Sequence, residues 1–221
     1  MKHWIDELEK VENDGCSTWI RKDNFIDLQC IRESITEDQY RLKSLVGKVD
    51  FVIDIGACQG VFARRAIQIL KCPVFSFEPH PDNFNILTLN AQNSSPRIHL
   101  FQGAFVPKGS NKKVFLTTNA HEAANHLAED GIAILGWDYI DILNLIPKGK
   151  RVLLKMDFEG GEDRAILDLT PFEYKSLHIA GEWHHNPDPV RQALHDVGCD
   201  NIEVDGVSED ITGLFFATKG I

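Results

Sequence analysis

From Val49 onward the chain alternates short β-branched or aromatic runs with helical patterns, and this alternation limits what it can fold into. VDFVIDI precedes VFARRAIQIL, PVFSFE precedes PDNFNILTLNAQ, and RIHLFQ stands next; RVLLKMDF then precedes EDRAILDL, and SLHIAGEW precedes PVRQALHDVG. Near-continuous apolar strands separated by helices specify a parallel sheet covered on both faces, with right-handed crossovers. The last two strands, 201–205 and 213–219, are joined by VSEDIT, which has no room for a helix. They must pair antiparallel as a terminal hairpin.

Two other regions frame this pattern. Residues 1–46 carry apolar positions Trp4, Leu8 and Val11, then Leu28, Ile31 and Ile35, at spacings of three to four, and read as a helical cap on a domain spanning 47–221. From about 105 to 149 the alternation breaks. KGSNKK reads as a turn between two strands, His121–Leu135 as a weak helix, and the whole as an insertion of the kind that supplies substrate contacts at strand ends. A length of 221 residues suits one such domain with its appendage.

Composition narrows the partners. With 23 basic against 33 acidic side chains the net charge is −10, a field that repels phosphate backbones and anionic membranes. Nucleic acid is therefore an unlikely partner. The basic clusters Lys108, Lys112, Lys113 and Lys148, Lys150, Arg151 read as solvated loops. No run approaches the ~18 apolar residues of a membrane span, and MKHWIDELEK lacks an apolar signal core. Cysteines 16, 30, 58, 72 and 199 form no CxxC pair and are odd in number, so they read as reduced thiols of a cytoplasmic protein.

Five strand ends carry the chemistry. FVIDIGACQGVFARRA runs from a buried strand ending near Asp54 through Gly56, Ala57 and Gly60 into a helix. Glycines at such a turn let backbone approach a ligand, and the ligand belongs at the carboxyl ends of the strands. The spacing is not the pyrophosphate-cradling G-x-G-x-x-G, because Phe62 stands at its third glycine position. Glu78 ends the next strand, 18 residues after Gly60, where an acid can accept both hydroxyls of a ribose. Gln102, Gly103 and Ala104 follow the third strand and offer an amide and a small surface to an adenine.

The other two ends are acidic and imidazole-bearing. Asp157 and Glu159 close the fourth strand two residues apart, on one face if extended. Glu162 opens the next helix, where an acid favours the positive end of the helix dipole. Paired carboxylates there suit an ammonium, a Mg²⁺ or Ca²⁺ ion, or a reacting hydroxyl. The fifth strand ends GEWHHNPD, and His184 is a candidate general base, with Asp157 as the other. Glu182 or His184 could join Asp157 and Glu159 around an ion. His121 and His126 have one residue too many for H-E-x-x-H and fall about 140° apart on a helix.

Together VIDIGACQGVFARRA, FSFEPHPDNFNILTLNAQ, HLFQGAFV and LLKMDFEGGEDRAIL resemble the FkbM-type S-adenosylmethionine-dependent methyltransferases, in order from about Val49 to Glu182. The resemblance implies a class I, Rossmann-like three-layer α/β sandwich whose mostly parallel, seven-stranded sheet ends in an antiparallel hairpin. It also implies methylation of a sugar or natural-product hydroxyl. By that match Asp54, Gly56, Gly60, Glu78, Gln102 and Ala104 line the cofactor site, and Asp157 and Glu159 stand between cofactor and acceptor. Cys58 occupies a position where that family commonly has Asn, and WHH has no counterpart. The remaining readings are a nucleic-acid ribose methyltransferase using Lys155 and Asp157, and a non-catalytic ligand-binding or assembly protein. Homo-oligomerisation is open.

Overall fold

A computed structural model describes residues 4–92, 97–116, 127–128, 131–169, 174–206 and 211–220. In chain order the elements are β1 (Leu8–Asn13), β2 (Cys16–Arg21), α1 (Phe25–Ile31), β3 (Phe51–Ile55), α2 (Val61–Leu70), β4 (Val74–Glu78), α3 (Pro81–Gln92) and β5 (Ile98–Gln102). Then come β6 (Ala104–Phe105), β7 (Lys113–Leu116), β8 (Leu127–Ala128), β9 (Ile132–Trp137), α4 (Tyr139–Leu143) and β10 (Arg151–Met156). The chain closes with α5 (Glu162–Leu167), β11 (Ser176–His184), α6 (Pro187–Asp196), β12 (Asp200–Val204) and β13 (Thr212–Lys219).

The main sheet has seven strands in the order β12-β13-β11-β10-β3-β4-β5. β13 runs antiparallel to both β11 and β12, and the other pairings are parallel. The parallel sheet and its terminal hairpin follow the sequence reading. Alternate residues divide between two apolar layers. Ile53, Ile55, Leu154, Met156 and Ile179 pack with α4, α5 and α6, while Val52, Val74, Leu153 and Phe216 pack with α2 and Tyr40–Leu45. Strands buried on both faces explain why their sequences are continuous apolar runs rather than alternating ones. No helix among the described residues is long and apolar enough to cross a membrane.

Both framing regions differ from expectation. The cap is not all helical: β1 and β2 form an antiparallel hairpin in which Asn13 pairs Cys16. The two intervening residues, Asp14 and Gly15, have φ of 45° and 70°. Asp-Gly with both residues left-handed is a tight hairpin turn, and it overrides the three-to-four spacing of Leu8 and Val11. Cys16, Thr18 and Ile20 then alternate inward. Only the later half follows the helical reading, with α1 capped by the Asn24 side chain and continuing as a π turn over Arg32–Thr36.

In the insertion, 132–137 is strand rather than helix, the centre of a four-stranded sheet ordered β6-β9-β7-β8. Alternating burial along β9 shows the two-residue period that the helical reading missed. His121 and His126 lie outside the described residues.

Candidate functional site

Gly56 ends β3 at φ 76°, and a Cβ there would overlap the carbonyl oxygen of Asp157. The close approach of β3 and β10 therefore demands glycine. The turn is pinned from the other side by β4, since the N–H groups of Gly56 and Ala57 both donate to Phe77 O at 3.1 and 3.0 Å. Gly60 enters α2 at φ 84°, and any side chain there would strike Leu87.

Glu78 sits against this turn. Its Oε2 accepts the Cys58 N–H and its Oε1 the His80 N–H, both at 2.8 Å, with Asn83 Nδ2 donating at 3.4 Å. It is buried, and burial pushes its carboxyl up to about 7 against the lowering effect of those donors. Gly103 and Ala104 follow at the β5 edge, and Gly103 N donates to Glu78 O at 3.1 Å. Gln102 is the register partner of Glu78, with its side chain exposed.

Two cavities flank Gly56. The larger, about 200 Å³, lies over the ends of β3, β4, β5 and β10 and is walled by Phe77, Pro79, Ala104, Phe105 and Phe158, with Glu159 and Arg164 at its edge. The smaller, about 40 Å³, is lined by Cys30, Glu33, Tyr40, Cys58, Lys155 and Asp157. Gly56 borders both.

Lys155, which the sequence reading gave a role only in the nucleic-acid alternative, is absent from the sequence-based cofactor site. A lysine inside RVLLKMDF must be paired if the strand is buried, and that was its signal. Its side chain is 4% exposed, 3.3 Å from Asp54 and 3.7 Å from Asp157, and Nζ donates to Gly56 O at 2.7 Å. Burial pulls its pKa down, but the two carboxylates outweigh that and hold it above the ordinary lysine value. Asp54 is fully buried beneath the loop, so it faces Lys155 rather than a cavity. Tyr40, from the segment after α1, donates to Asp157 Oδ2 at 2.9 Å, a contact across 117 residues that no local pattern announces.

At the outer rim Asp157, Glu159 and His184 each present a ligand atom within 4.8 Å of the others. These groups already have partners. His184 Nε2 lies 3.4 Å from Glu159, and Nδ1 lies 3.3 Å from the buried Glu162. Burial lowers the His184 pKa, but Glu162 and Glu159 more than offset it and raise it to about 9. Its two acidic neighbours favour the imidazolium, which suits His184 to ion pairing with Glu162 and Glu159 more than to accepting a proton. Glu182, pushed up to about 7 by burial and by the charge of Asp157, titrates where a base is useful. Asp157 is engaged by the Tyr40 hydroxyl and lies 3.7 Å from the Lys155 ammonium.

No family model and no curated protein matches the chain. Solved structures do match its fold. TYW2 from M. jannaschii in complex with AdoMet aligns at TM-score 0.58 and 12% identity, covering 96% of this chain and 85% of that one. Precorrin-6y C5,15-methyltransferase from Geobacter metallireducens aligns at 0.52 and 15%, covering 95% and 97%. Pyrococcus abyssi tRNA (uracil-54, C5)-methyltransferase with S-adenosyl-L-homocysteine aligns at 0.52 and 12%, covering 96% of this chain but 44% of that protein. The chain has the class I methyltransferase fold.

Proposed function

We propose that this chain is an S-adenosylmethionine-dependent methyltransferase acting on a hydroxyl, with a sugar or natural-product acceptor as the FkbM-type resemblance implies. The observation that carries the reading is the meeting of the Glu78 carboxylate with the turn after Gly56, through the Cys58 N–H, where Gly56 itself borders the larger cavity. When bound, the cofactor supplies an electrophilic sulfonium methyl. In this reading Glu78 accepts ribose hydroxyls, Gly103 and Ala104 offer a small-residue wall to a base, and Gly56, Ala57 and Gly60 leave room for close backbone approach. Beyond Gly56 the acceptor meets Asp157, Glu159, Glu182 and the His184 cation. Glu182 takes the hydroxyl proton as the new bond forms, a contribution of about 10²–10⁴-fold. His184 positions Glu159 by charge, and Mg²⁺ or Ca²⁺ is not required.

Isothermal titration with S-adenosylhomocysteine tests the cofactor half, and no binding at millimolar ligand would end this reading. Labelled methyl transfer to a glycan panel tests the acceptor half. Turnover should rise with pH through about 7 and lose that limb in Glu182→Gln, while EDTA leaves it unchanged; inhibition by EDTA would restore the ion at Asp157, Glu159 and His184.

Ribose methylation of a nucleic acid is the second reading; its nucleic-acid acceptor, though not the ribose, has a parallel in a fold neighbour that is a tRNA (uracil-54, C5)-methyltransferase, and the net charge of −10 opposes it. Salt-sensitive RNA binding would decide for it. Tight cofactor binding with no transfer to any acceptor would leave the non-catalytic reading.

A further inference from the structure

A third cavity, about 140 Å³, lies on the face of the sheet that carries α2, with β11, β13 and β12 as its floor and residues 40–45 as its lid. Resting on the sugar-acceptor reading above, we infer that this cavity is a subsite for a neighbouring sugar unit, so that the acceptor is an oligosaccharide or glycoside rather than a free monosaccharide. Its place on the sheet carries this. His178, Ala180 and Glu182 alternate along β11 and so share one face. His178 and Ala180 line the cavity. Glu182, which takes the proton in that reading, stands two residues above Ala180, about 7 Å along the strand. Tyr40 joins the two places: it lines the cavity, and its hydroxyl donates to Asp157 at the rim. A ring linked to one whose hydroxyl reaches Glu182 falls over Ala180 and His178.

Size and chemistry select one neutral, hydroxyl-rich ring. A cavity of about 150 Å³ holds a single six-membered ring, so this one takes one unit and not two. Arg41 lies over the Phe216 ring at 3.6 Å and donates to Glu203 at 2.8 Å, which fixes two planar polar groups at the mouth. A guanidinium has five N–H donors and a carboxylate about four acceptor positions, so most of both remain for a ligand. Asn201 donates to Thr218 at 2.9 Å and leaves its carbonyl oxygen to accept, while Ser44 and His178 add a hydroxyl and an imidazole. Donors beside acceptors match vicinal hydroxyls, each of which gives one hydrogen and takes others. Arg41 and Glu203 cancel in charge. Burial and the charges of Lys48 and Arg151 hold His178 below its ordinary pKa, so the lining is neutral. Arg41 and Asn201 also have φ of 57° and 48°, left-handed conformations that cost a non-glycine residue energy and gather at ligand clamps. Asp38 holds the first in place, its carboxylate accepting the Leu42 and Lys43 N–H groups at 2.9 and 3.2 Å.

Labelled methyl transfer to glucose, mannose and galactose, each beside its homodisaccharide, tests this. At least one disaccharide should exceed its monosaccharide by about 10-fold or more in kcat/KM. Glu203→Ala removes the fixed pair and Ser44→Trp fills the mouth. Each should erase that preference and leave kcat/KM for the monosaccharide within about twofold. S-adenosylhomocysteine and 5′-methylthioadenosine, two nucleosides that report on the cofactor site, should bind both variants as they bind wild type, which shows the fold intact. The His178 ring-proton resonance, assigned with His178→Gln, gives a readout on wild-type protein without turnover. It should shift with the preferred disaccharide and not with its monosaccharide, and no shift would overturn the subsite. Equal kcat/KM for mono- and disaccharide, or a preference that survives both variants, would also overturn it and leave the sugar reading standing. No transfer to any of these sugars would end the sugar-acceptor reading and the subsite together.

Discussion

The two cavities on either side of Gly56 are built from opposite materials. The larger is walled by aromatic rings, prolines and glycines, the smaller by Lys155, Asp157, Glu33 and Tyr40. Flat, neutral groups are recognised by shape with a few placed polar atoms; the charged residues on the larger side are Glu159 and Arg164 at its edge, while Glu78, against the neighbouring turn, is held by backbone donors rather than by a cation. Charged groups are recognised by counter-charge, and the smaller side keeps its ions in a buried network where each interaction is stronger than in water. One turn thus separates recognition by fit from recognition by charge.

The residue common to both sides should give the largest effect. Gly56→Ala places a Cβ on the Asp157 carbonyl and asks a non-glycine residue to hold φ 76°. Left-handed strain and overpacking together should cost on the order of 2–6 kcal/mol. Thermal unfolding should show this, with binding of both nucleosides lost. An alanine variant of native stability and affinity would show that neither cavity depends on the turn.

How much of this contrast can be read from the sequence follows the same division. Glycines and strand-end acids sit within one short segment each, so Gly56, Gly60 and Glu78 are recognisable from local spacing. The ionic side is assembled from distant segments. Tyr40 reaches Asp157 across 117 residues, and Lys155 and Asp54 meet only because β10 and β3 pair in register. The imidazole of His184 looks like a base in sequence, and only the placement of Glu162 and Glu159 around it reveals a cation. The hairpin at Asp14-Gly15 was legible but was outweighed by an apolar spacing that fits a helix equally well. In β9 a short apolar run carried no length by which to separate strand from helix.

A smaller effect should separate the two cavities. Glu78→Gln keeps the shape but removes the charge, and should weaken S-adenosylhomocysteine and 5′-methylthioadenosine equally, by about 10- to 100-fold. Loss of only one would place Glu78 on the ionic side. Its raised pKa gives a second check. Because burial lifts the folded value from 4.5 to about 7, the group favours the folded protein most below the unfolded value, and that contribution is lost as pH rises through 7. Affinity should move oppositely, strengthening as the carboxylate ionises above 7. A pH-independent affinity for 5′-methylthioadenosine would remove Glu78 from the ribose.

The smallest effect belongs at the far end of the same two strands. Arg151 grips Asp50 with Nε at 3.1 Å and Nη2 at 2.7 Å and also donates from Nη1 to Gly47 O at 2.6 Å, bracing the amino ends of β3 and β10. Those bonds hold the Asp50 carboxyl down to about 2. Both side chains are about a third exposed, so solvent screening limits the pair, and Asp50→Asn should cost about 0.5–1 kcal/mol at pH 7. The folded pKa is depressed, so the contribution is present above the unfolded carboxylate value of about 4 and disappears as pH falls through 2. Melting curves of variant and wild type should therefore differ at pH 7 and converge as the pH falls through 2, while affinity for both nucleosides stays unchanged. Weakened binding would mean that strain at the amino ends of β3 and β10 travels along the pair to Gly56, and the two cavities would then owe their geometry to the register of the whole strands rather than to the turn alone.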